Sequence, residues 1–308
     1  MMRKALISGG NGFLGSCLVE RFIAEKFEVT VVDDLSTSKG RNIPKDARLI
    51  NKKIENYASS EKYDYVIHLA ARPSPEDYMN HPVDTISSNS IGTLNMLEIA
   101  RKNDSIFMYT SSSEVYGEAE VVPTPESYYG YVNPIGIRSC YDEGKRFSEA
   151  LIMAYCREYG LDVRIQRPFN VYGPGIREDG QYGRVIPRFI IQALKNEPLT
   201  IHGDGQQTRS FLYILDWLIG TWEFLTGNYK GEIINIGSDK EITIIDLAKK
   251  IISLTNSKSS IIFLKRRDDD PSRRAADIKK AKNILHWEPK VNLNEGLIQT
   301  IEWFRVRI

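Results

Sequence analysis

A tyrosine and a lysine stand four residues apart in the segment Tyr141-Asp142-Glu143-Gly144-Lys145. If this segment is helical, the two side chains lie on the same face, one turn apart. A free tyrosine has a pKa of about 10 and is a poor base at neutral pH, but a nearby ammonium group favours the phenolate. The spacing therefore predicts that Tyr141 accepts a proton from a hydroxyl group, with Lys145 as its cationic partner.

A glycine-rich loop near the N-terminus predicts a dinucleotide site. Gly9, Gly12 and Gly15 form a G-x-x-G-x-x-G pattern between a short apolar run and a helical pattern. Glycine lets the chain turn tightly and lets a pyrophosphate approach the N–H groups of a helix N-terminus. Asp33 ends the next apolar run, where its carboxylate can bind an adenosine ribose and would repel a 2′-phosphate. This pattern favours NAD over NADP.

The elements that must position these residues alternate along the first half of the chain. Apolar runs predict strands at residues 5–7, 28–32, 64–69, 105–109 and 162–166, and helical spacing predicts helices at 13–26, 83–102 and 141–159. This alternation predicts an α/β fold with a Rossmann-type, doubly wound parallel sheet.

After Pro168 the sequence changes character. Glycines cluster at positions 173, 175, 180 and 183, and shorter helices are predicted at 185–195 and 244–254. We expect an NAD-binding domain at residues 1–168, with residues 211–236 added to it, and a smaller α/β lobe at 169–308 that binds the substrate.

The composition excludes several other classes of function. The chain has 308 residues, of which 42% are hydrophobic, and its 41 basic and 40 acidic residues give a net charge of +1. This balance gives no reason to expect a nucleic-acid or membrane partner. The three cysteines and four histidines lack metal-ligand spacing, so we expect reduced thiols and no metal. With no apolar run near 20 residues and a first strand starting by Lys4, we expect a cytoplasmic protein without a signal peptide.

The combined motifs resemble the extended short-chain dehydrogenase/reductase family, whose members use NAD to act on nucleotide sugars. The resemblance extends over nearly the whole chain. Within the family, the chain looks most like the UDP-glucuronate decarboxylases. Their pattern of Ser-Glu, rather than Asp-Glu, matches Ser113-Glu114, whereas glucose 4-epimerases typically lack this acid. The other matching segments are residues 89–97, 133–136, 141–146, 269–271, 277–282 and 287–289.

The resemblance implies a role for each matching residue. Ser112 would orient the sugar 4-hydroxyl beside Tyr141, while Glu114 and Arg209 would direct the reaction beyond simple epimerisation. Arginine suits a diphosphate or carboxylate because its planar fork binds two oxygens at once. The implied cofactor residues are Gly9, Gly12, Phe13, Leu14, Gly15, Asp33, Leu69, Ala70, Ala71, Tyr141 and Lys145. The implied substrate residues are Ser113, Asn170, Arg184, Val185, Arg209 and Arg274.

Several outcomes remain open at this point. The expected reaction is conversion of UDP-glucuronate to UDP-xylose through a transient 4-ketone. A UDP-glucose or UDP-glucuronate 4-epimerase and a nucleotide-sugar 4,6-dehydratase share the same first step. A non-catalytic NAD-binding scaffold is the alternative outside enzymes. The resemblance also implies a homodimer that pairs the helices predicted at 83–102 and 141–159.

Overall fold

The computed structural model describes residues 2–38, 43–178, 183–266 and 270–308; Gly180 and Asp269, singled out above, lie outside these ranges. Its strands are β1 Lys4–Ser8, β2 Glu28–Asp33, β3 Ala47–Asn51, β4 Tyr65–His68, β5 Ile106–Thr110, β6 Val163–Pro168, β7 Val171–Tyr172, β8 Leu199–His202, β9 Thr208–Ser210, β10 Leu212–Tyr213, β11 Ile233–Ile236, β12 Glu241–Thr243, β13 Ile261–Leu264 and β14 Arg273–Arg274. Its α-helices are α1 Phe13–Ala24, α2 Pro75–Asn80, α3 Pro82–Ser87, α4 Thr93–Asn103, α5 Ser139–Tyr159, α6 Val185–Leu194, α7 Ile214–Thr226, α8 Ile244–Thr255 and α9 Leu293–Arg305.

Seven strands form one parallel sheet in the order β3-β2-β1-β4-β5-β6-β11. The strand order reverses between β1 and β4. In open α/β sheets, ligands bind outside the carboxyl ends of the strands at this reversal. The predicted doubly wound parallel sheet is confirmed, and its geometry places a ligand site beside the loop that follows β1.

Helices cover both faces of this sheet because successive side chains of a strand point to opposite faces and those of the inner strands are apolar on both. In β1, Ala5 and Ile7 join the core formed with α1, whereas Leu6 joins a second core on the α4 and α5 side. All three residues are fully buried. Strands buried on both faces are typical of parallel sheets with helices on each side.

The predicted helix at 83–102 contains an irregular segment. α3 and α4 are joined by a π-helical segment, Ser88–Gly92, whose flanking residues keep right-handed helical backbone angles. A Cβ atom on Gly92 would come within 2.6 Å of the Ile54 side chain. The π-helical segment therefore packs directly against Ile54, and the 3.6-residue periodicity of the sequence does not predict this irregularity.

The remaining strands form three small sheets beside the large one, with orders β10-β7, β12-β9-β14 and β13-β8. α6 and α8 match the helices predicted at 185–195 and 244–254 within a residue at each end. The proposed division into two domains stays a prediction. No helix in the described part of the chain has the length and apolar character needed to cross a bilayer.

Candidate active site

A cavity of about 640 Å³ opens at the carboxyl ends of the sheet strands. Every residue that the sequence predicted to bind cofactor or substrate lines this cavity. The two predicted sets of residues therefore share one space. The lining includes Gly9, Gly12, Phe13, Leu14, Gly15, Asp33, Leu69, Ala70, Ala71, Ser112, Ser113, Glu114, Tyr141, Lys145, Asn170, Arg184, Val185, Arg209 and Arg274. Their individual roles remain predictions.

The glycine loop leaves no room for a side chain at Gly9 or Gly15. Gly9 has a φ of +70°, in the left-handed region that glycine adopts readily. A Cβ atom on Gly15 would lie 2.1 Å from the Gly9 carbonyl oxygen, so the first turn of α1 rests directly on the loop backbone. Gly12 precedes α1, and the start of a helix can donate N–H groups to phosphate oxygens. The loop fits the pyrophosphate of a dinucleotide.

Asp33 is held in place by donors around its carboxylate. Its Oδ2 accepts the Asn11 N–H at 3.0 Å, and its Oδ1 accepts the Leu35 N–H at 2.9 Å and the Ser38 hydroxyl at 3.4 Å. Burial raises the pKa of Asp33, and the two backbone donors oppose that rise. Since a carboxylate has about four acceptor positions, it can still accept a ribose hydroxyl.

Tyr141 lies in the first turn of α5 and is 4% exposed. Burial raises the pKa of its phenol; a hydrogen bond with Ser112 and the positive charge of Arg184 act in the opposite direction. The Ser112 hydroxyl also accepts the Glu114 N–H at 3.2 Å, which fixes it at the start of the short 3₁₀ helix Ser113–Tyr116. The two hydroxyl groups predicted to meet the sugar are therefore adjacent.

Lys145 is buried one turn after Tyr141. Its Nζ donates to the Thr110 carbonyl at 2.8 Å and lies 5.7 Å from the centre of the Tyr141 ring. Burial lowers the pKa of Lys145 to about 7, although the Glu149 carboxylate partly offsets this effect. Burial therefore opposes the charged form of both members of the pair.

Glu114 lines the cavity and lies between two arginines. Its two carboxylate oxygens accept hydrogen bonds from Arg138 and from Arg274. Burial alone would raise the pKa of Glu114, but these guanidinium groups and Arg209 hold it below its ordinary value. Arg209 in turn donates to Asp270 at 2.8 Å. The cavity thus contains a cluster of three arginines whose charges the protein balances with its own carboxylates.

Three further predicted substrate residues, Asn170, Arg184 and Val185, also line the cavity. Asn170 has a φ of +39° and its side-chain amide donates to the Ser210 carbonyl at 2.8 Å. Arg184 immediately precedes α6, and Val185 is its first residue. The charge of Arg184 acts on the pKa of Tyr141, so the start of α6 lies near the candidate base.

Sequence reasoning missed several residues of this site, among them Arg138, Tyr78 and Arg177. Arg138 pairs with Glu114, and its position one turn before Tyr141 was the available signal. Tyr78 stacks against Tyr141, and no motif marked it. Arg177 donates to the Thr37 carbonyl at 2.6 Å and pairs with Asp77, so it links the segment after β2 to α2.

Comparisons with known proteins agree with this geometry. Residues 5–237 match the sequence model of the NAD dependent epimerase/dehydratase family. The chain is 45% identical to UDP-glucuronic acid decarboxylase 3 of Arabidopsis thaliana over 99% of its own length and 90% of that protein. It is 43% identical to UDP-glucuronic acid decarboxylase 1 of Xenopus tropicalis over 98% of its length and 72% of that protein.

Two solved structures also resemble the fold closely. UDP-glucose 4-epimerase from Thermotoga maritima, solved with UDP-glucose, has a TM-score of 0.92 and 32% identity, with 99% of each chain covered. MoeE5, solved with UDP-glucuronic acid and NAD, has a TM-score of 0.88 and 27% identity, with 99% of this chain and 100% of that chain covered.

Proposed function

The chain belongs to the NAD dependent epimerase/dehydratase family, and from this premise we propose that it decarboxylates UDP-glucuronate to UDP-xylose. The observation that carries the proposal is the 45% identity to a UDP-glucuronic acid decarboxylase over nearly the whole chain. The predicted membership of an NAD-dependent nucleotide-sugar family is confirmed. The reaction assigned to this chain within that family is our proposal.

NAD is the cofactor, and the cavity has the groups to hold it. The Gly9–Gly15 loop would hold its pyrophosphate, and Asp33 would hold its adenosine ribose. When bound, NAD would supply the hydride acceptor for the sugar C4 in the first stage and the hydride donor that reduces the C4 ketone in the last stage, together with a positive charge that favours the phenolate of Tyr141. Because Tyr141 and Lys145 are buried, charge interactions between them are stronger than in water.

The chain's own residues move the first proton. Ser112 orients the sugar 4-hydroxyl, and Tyr141 accepts its proton as the C4 carbonyl forms. In its protonated form, Lys145 places positive charge near the phenol, and it donates to the Thr110 carbonyl at the end of β5. At the end of the cycle, Tyr141 returns the proton to the oxygen on C4.

The second stage uses the carboxylate of the substrate. With a ketone at C4, the carboxylate on C5 belongs to a β-keto acid. The electrons of its C–C bond move into the C4 carbonyl as CO2 leaves, and the resulting enolate takes a proton at C5. The cluster of Glu114, Arg138 and Arg274 supports this stage, because it places cationic donors and a carboxylate beside the candidate base.

The test is an NMR time course with UDP-glucuronate, run on the wild-type protein and on Tyr141→Phe. We expect UDP-xylose and CO2 from the wild type and no turnover from Tyr141→Phe, with NAD affinity nearly unchanged. Full activity of Tyr141→Phe would refute the tyrosine-base mechanism.

A 4-epimerase is the second candidate, favoured by the similarity to UDP-glucose 4-epimerase. UDP-galacturonate with its carboxylate retained, or interconversion of UDP-glucose and UDP-galactose, would establish it in place of the decarboxylase. A 4,6-dehydratase would be identified by a 4-keto-6-deoxy product. A non-catalytic scaffold would bind NAD and turn over none of these substrates.

We also propose that the protein is a homodimer. Apolar side chains stand exposed on the outer surface of the helices that were predicted to pair: Val83, Ile86, Ile91, Leu94 and Phe147. Exposed apolar groups clustered on adjacent helices favour burial against a second copy of the same surface. The three free cysteines fit a reducing compartment, and we propose a cytoplasmic location.

A further inference from the structure

Tyr78 lies in the candidate active site, but the proposed mechanism gives it no role. It belongs to α2, lines the cavity and is 1% exposed. Its ring stacks on that of Tyr141, with centroids 5.4 Å apart and planes 18° apart. The candidate base therefore has an aromatic wall behind it, supplied by a different segment of the chain.

Two further contacts join Tyr78 to the segment that carries the base. The guanidinium of Arg138, which pairs with Glu114, lies 5.9 Å from the centre of the Tyr78 ring. This separation is within the range of a cation–π contact. Cys140, the residue immediately before Tyr141, donates a hydrogen bond from its Sγ to the carbonyl of Tyr78 at 3.5 Å. One residue thus contacts both chemical parts of the site.

The hydroxyl of Tyr78 contributes none of these contacts. It is buried and has no hydrogen-bond partner among the residues that the structure describes. Leaving a buried hydroxyl unpaired costs about 1–3 kcal/mol. The planar face of the ring and the main-chain carbonyl are the parts of Tyr78 that act on their neighbours.

We propose that Tyr78 is a positioning residue whose ring holds the Tyr141 phenol and the Arg138 guanidinium in their working orientations. The inference rests on the proposed function, because it takes Tyr141 as the base. A stacked ring limits rotation of the Tyr141 phenol plane. This matters because Tyr141 must lie within about 3 Å of the sugar hydroxyl from which it accepts a proton. Tyr78 acts through these neighbours.

Substitutions that separate ring from hydroxyl test the proposal. Tyr78→Phe keeps the planar face, so we expect kcat for UDP-glucuronate within about threefold of wild type and a higher Tm. Tyr78→Leu removes the face; we expect kcat to fall about 10- to 100-fold, the effect of a displacement near 1 Å, with KM changed far less. If Tyr78→Leu does not fold, Tyr78→Met, which fills the volume without a planar face, replaces it.

Tyr65→Leu is the matched control. Tyr65 is also a buried tyrosine in ring contact, with Phe22 and Phe27 at 5.8 and 5.6 Å, but it begins β4 at the end of the sheet away from the cavity. We expect it to lower Tm without changing kcat. If Tyr78→Leu behaves like Tyr65→Leu, Tyr78 is only a packing residue. If Tyr78→Phe loses as much activity as Tyr78→Leu, the hydroxyl is the active part and the proposal is wrong.

Crystal structures of the same variants give a readout that does not depend on turnover. The Tyr141 hydroxyl should keep its position in Tyr78→Phe and move by about 1 Å in Tyr78→Leu. An unmoved phenol in Tyr78→Leu overturns the inference. Active Tyr141→Phe would instead overturn the proposed function, so the two failures are distinguishable: inactive Tyr141→Phe with unimpaired Tyr78→Leu refutes the role of Tyr78 alone.

Discussion

The glycine loop allows its structural and ligand-binding functions to be separated by two single substitutions. At Gly15, an added Cβ would lie 2.1 Å from the Gly9 carbonyl oxygen and 2.8 Å from the Gly10 Cα. Ordinary contact begins near 3.4 Å, so α1 and the loop must separate by roughly 1.3 Å. Both obstructing groups are backbone, and no side-chain rotation can relieve the contact.

Gly12 provides the matched control three residues earlier. An added Cβ there meets one atom, the Gly9 carbonyl oxygen, at 3.2 Å, and the backbone angles of φ −76° and ψ 179° suit any residue. Gly12→Ala therefore leaves the folded protein almost unstrained. The new methyl group instead lies where the pyrophosphate must approach the loop.

We expect Gly15→Ala to destabilise the protein by about 3 kcal/mol, the upper part of the range for overpacking. At about 2–4 °C per kcal/mol, this corresponds to a Tm lower by roughly 6–12 °C without NAD. Gly12→Ala should keep Tm within about 2 °C and weaken NAD binding at least tenfold, which is about 1.4 kcal/mol. Thermal unfolding and calorimetric titration of protein stripped of NAD measure the two effects.

The result that would refute this reasoning is an exchange of the two phenotypes. Wild-type affinity for NAD in Gly12→Ala would show that the loop does not approach the pyrophosphate. Wild-type stability in Gly15→Ala would show that α1 does not rest on the loop as closely as described.

The remaining predictions concern charge and assembly. Between pH 7 and 9, the unfolding free energy of the wild type without NAD should rise by about 2–3 kcal/mol relative to that of Lys145→Met. The reason is that the lysine stays protonated in the unfolded chain, whereas in the folded protein, with a pKa of about 7, it loses its proton. Denaturant titrations measure this difference, and a difference that stays constant with pH would contradict the prediction. Arg138→Met should lower the unfolding free energy of the protein by about 1–3 kcal/mol at pH 7. This loss should become smaller as acid protonates Glu114, because Arg138 contributes to the depressed pKa of that carboxyl. A loss that does not change with pH argues against the ion pair. Sedimentation should find a dimer in the wild type and a monomer in Ile86→Glu, whereas an unchanged dimer would place the interface elsewhere.

Strong periodicity and glycine spacing carried most of the fold prediction. The helix predicted at 141–159 is α5, which begins only two residues earlier, and the alternating strands gave the parallel sheet. β3 was missed because its residues are mostly exposed or half-buried and so lack an apolar pattern. α7 was missed because apolar residues of the helix lie on all of its sides. Ile214, Leu215, Trp217, Leu218 and Ile219 leave no continuous polar face, so the sequence shows no helical periodicity there.

The site was predictable where motifs carry it and unpredictable where distant segments meet. The glycine loop and the Tyr141–Lys145 pair follow from local spacing. The stacking of Tyr78 on Tyr141 joins residues 63 positions apart, which no local pattern records. The electrostatics were also incomplete, since sequence reasoning supplied the lysine charge but not the burial that opposes it.

The position of β11 has a consequence for folding. This strand comes after the glycine-rich segment and after α6, yet it forms the edge of the large sheet by pairing in parallel with β6. A chain cut after Pro168 would expose the whole edge of β6, with its unpaired backbone groups available for association between molecules. Because β6 is completed only when residues 233–236 return to it, the N-terminal half cannot reach its native sheet during synthesis until most of the chain has been made. Release of a stable cofactor-binding half is therefore not expected on translation or on limited proteolysis, and unfolding should be cooperative across both halves.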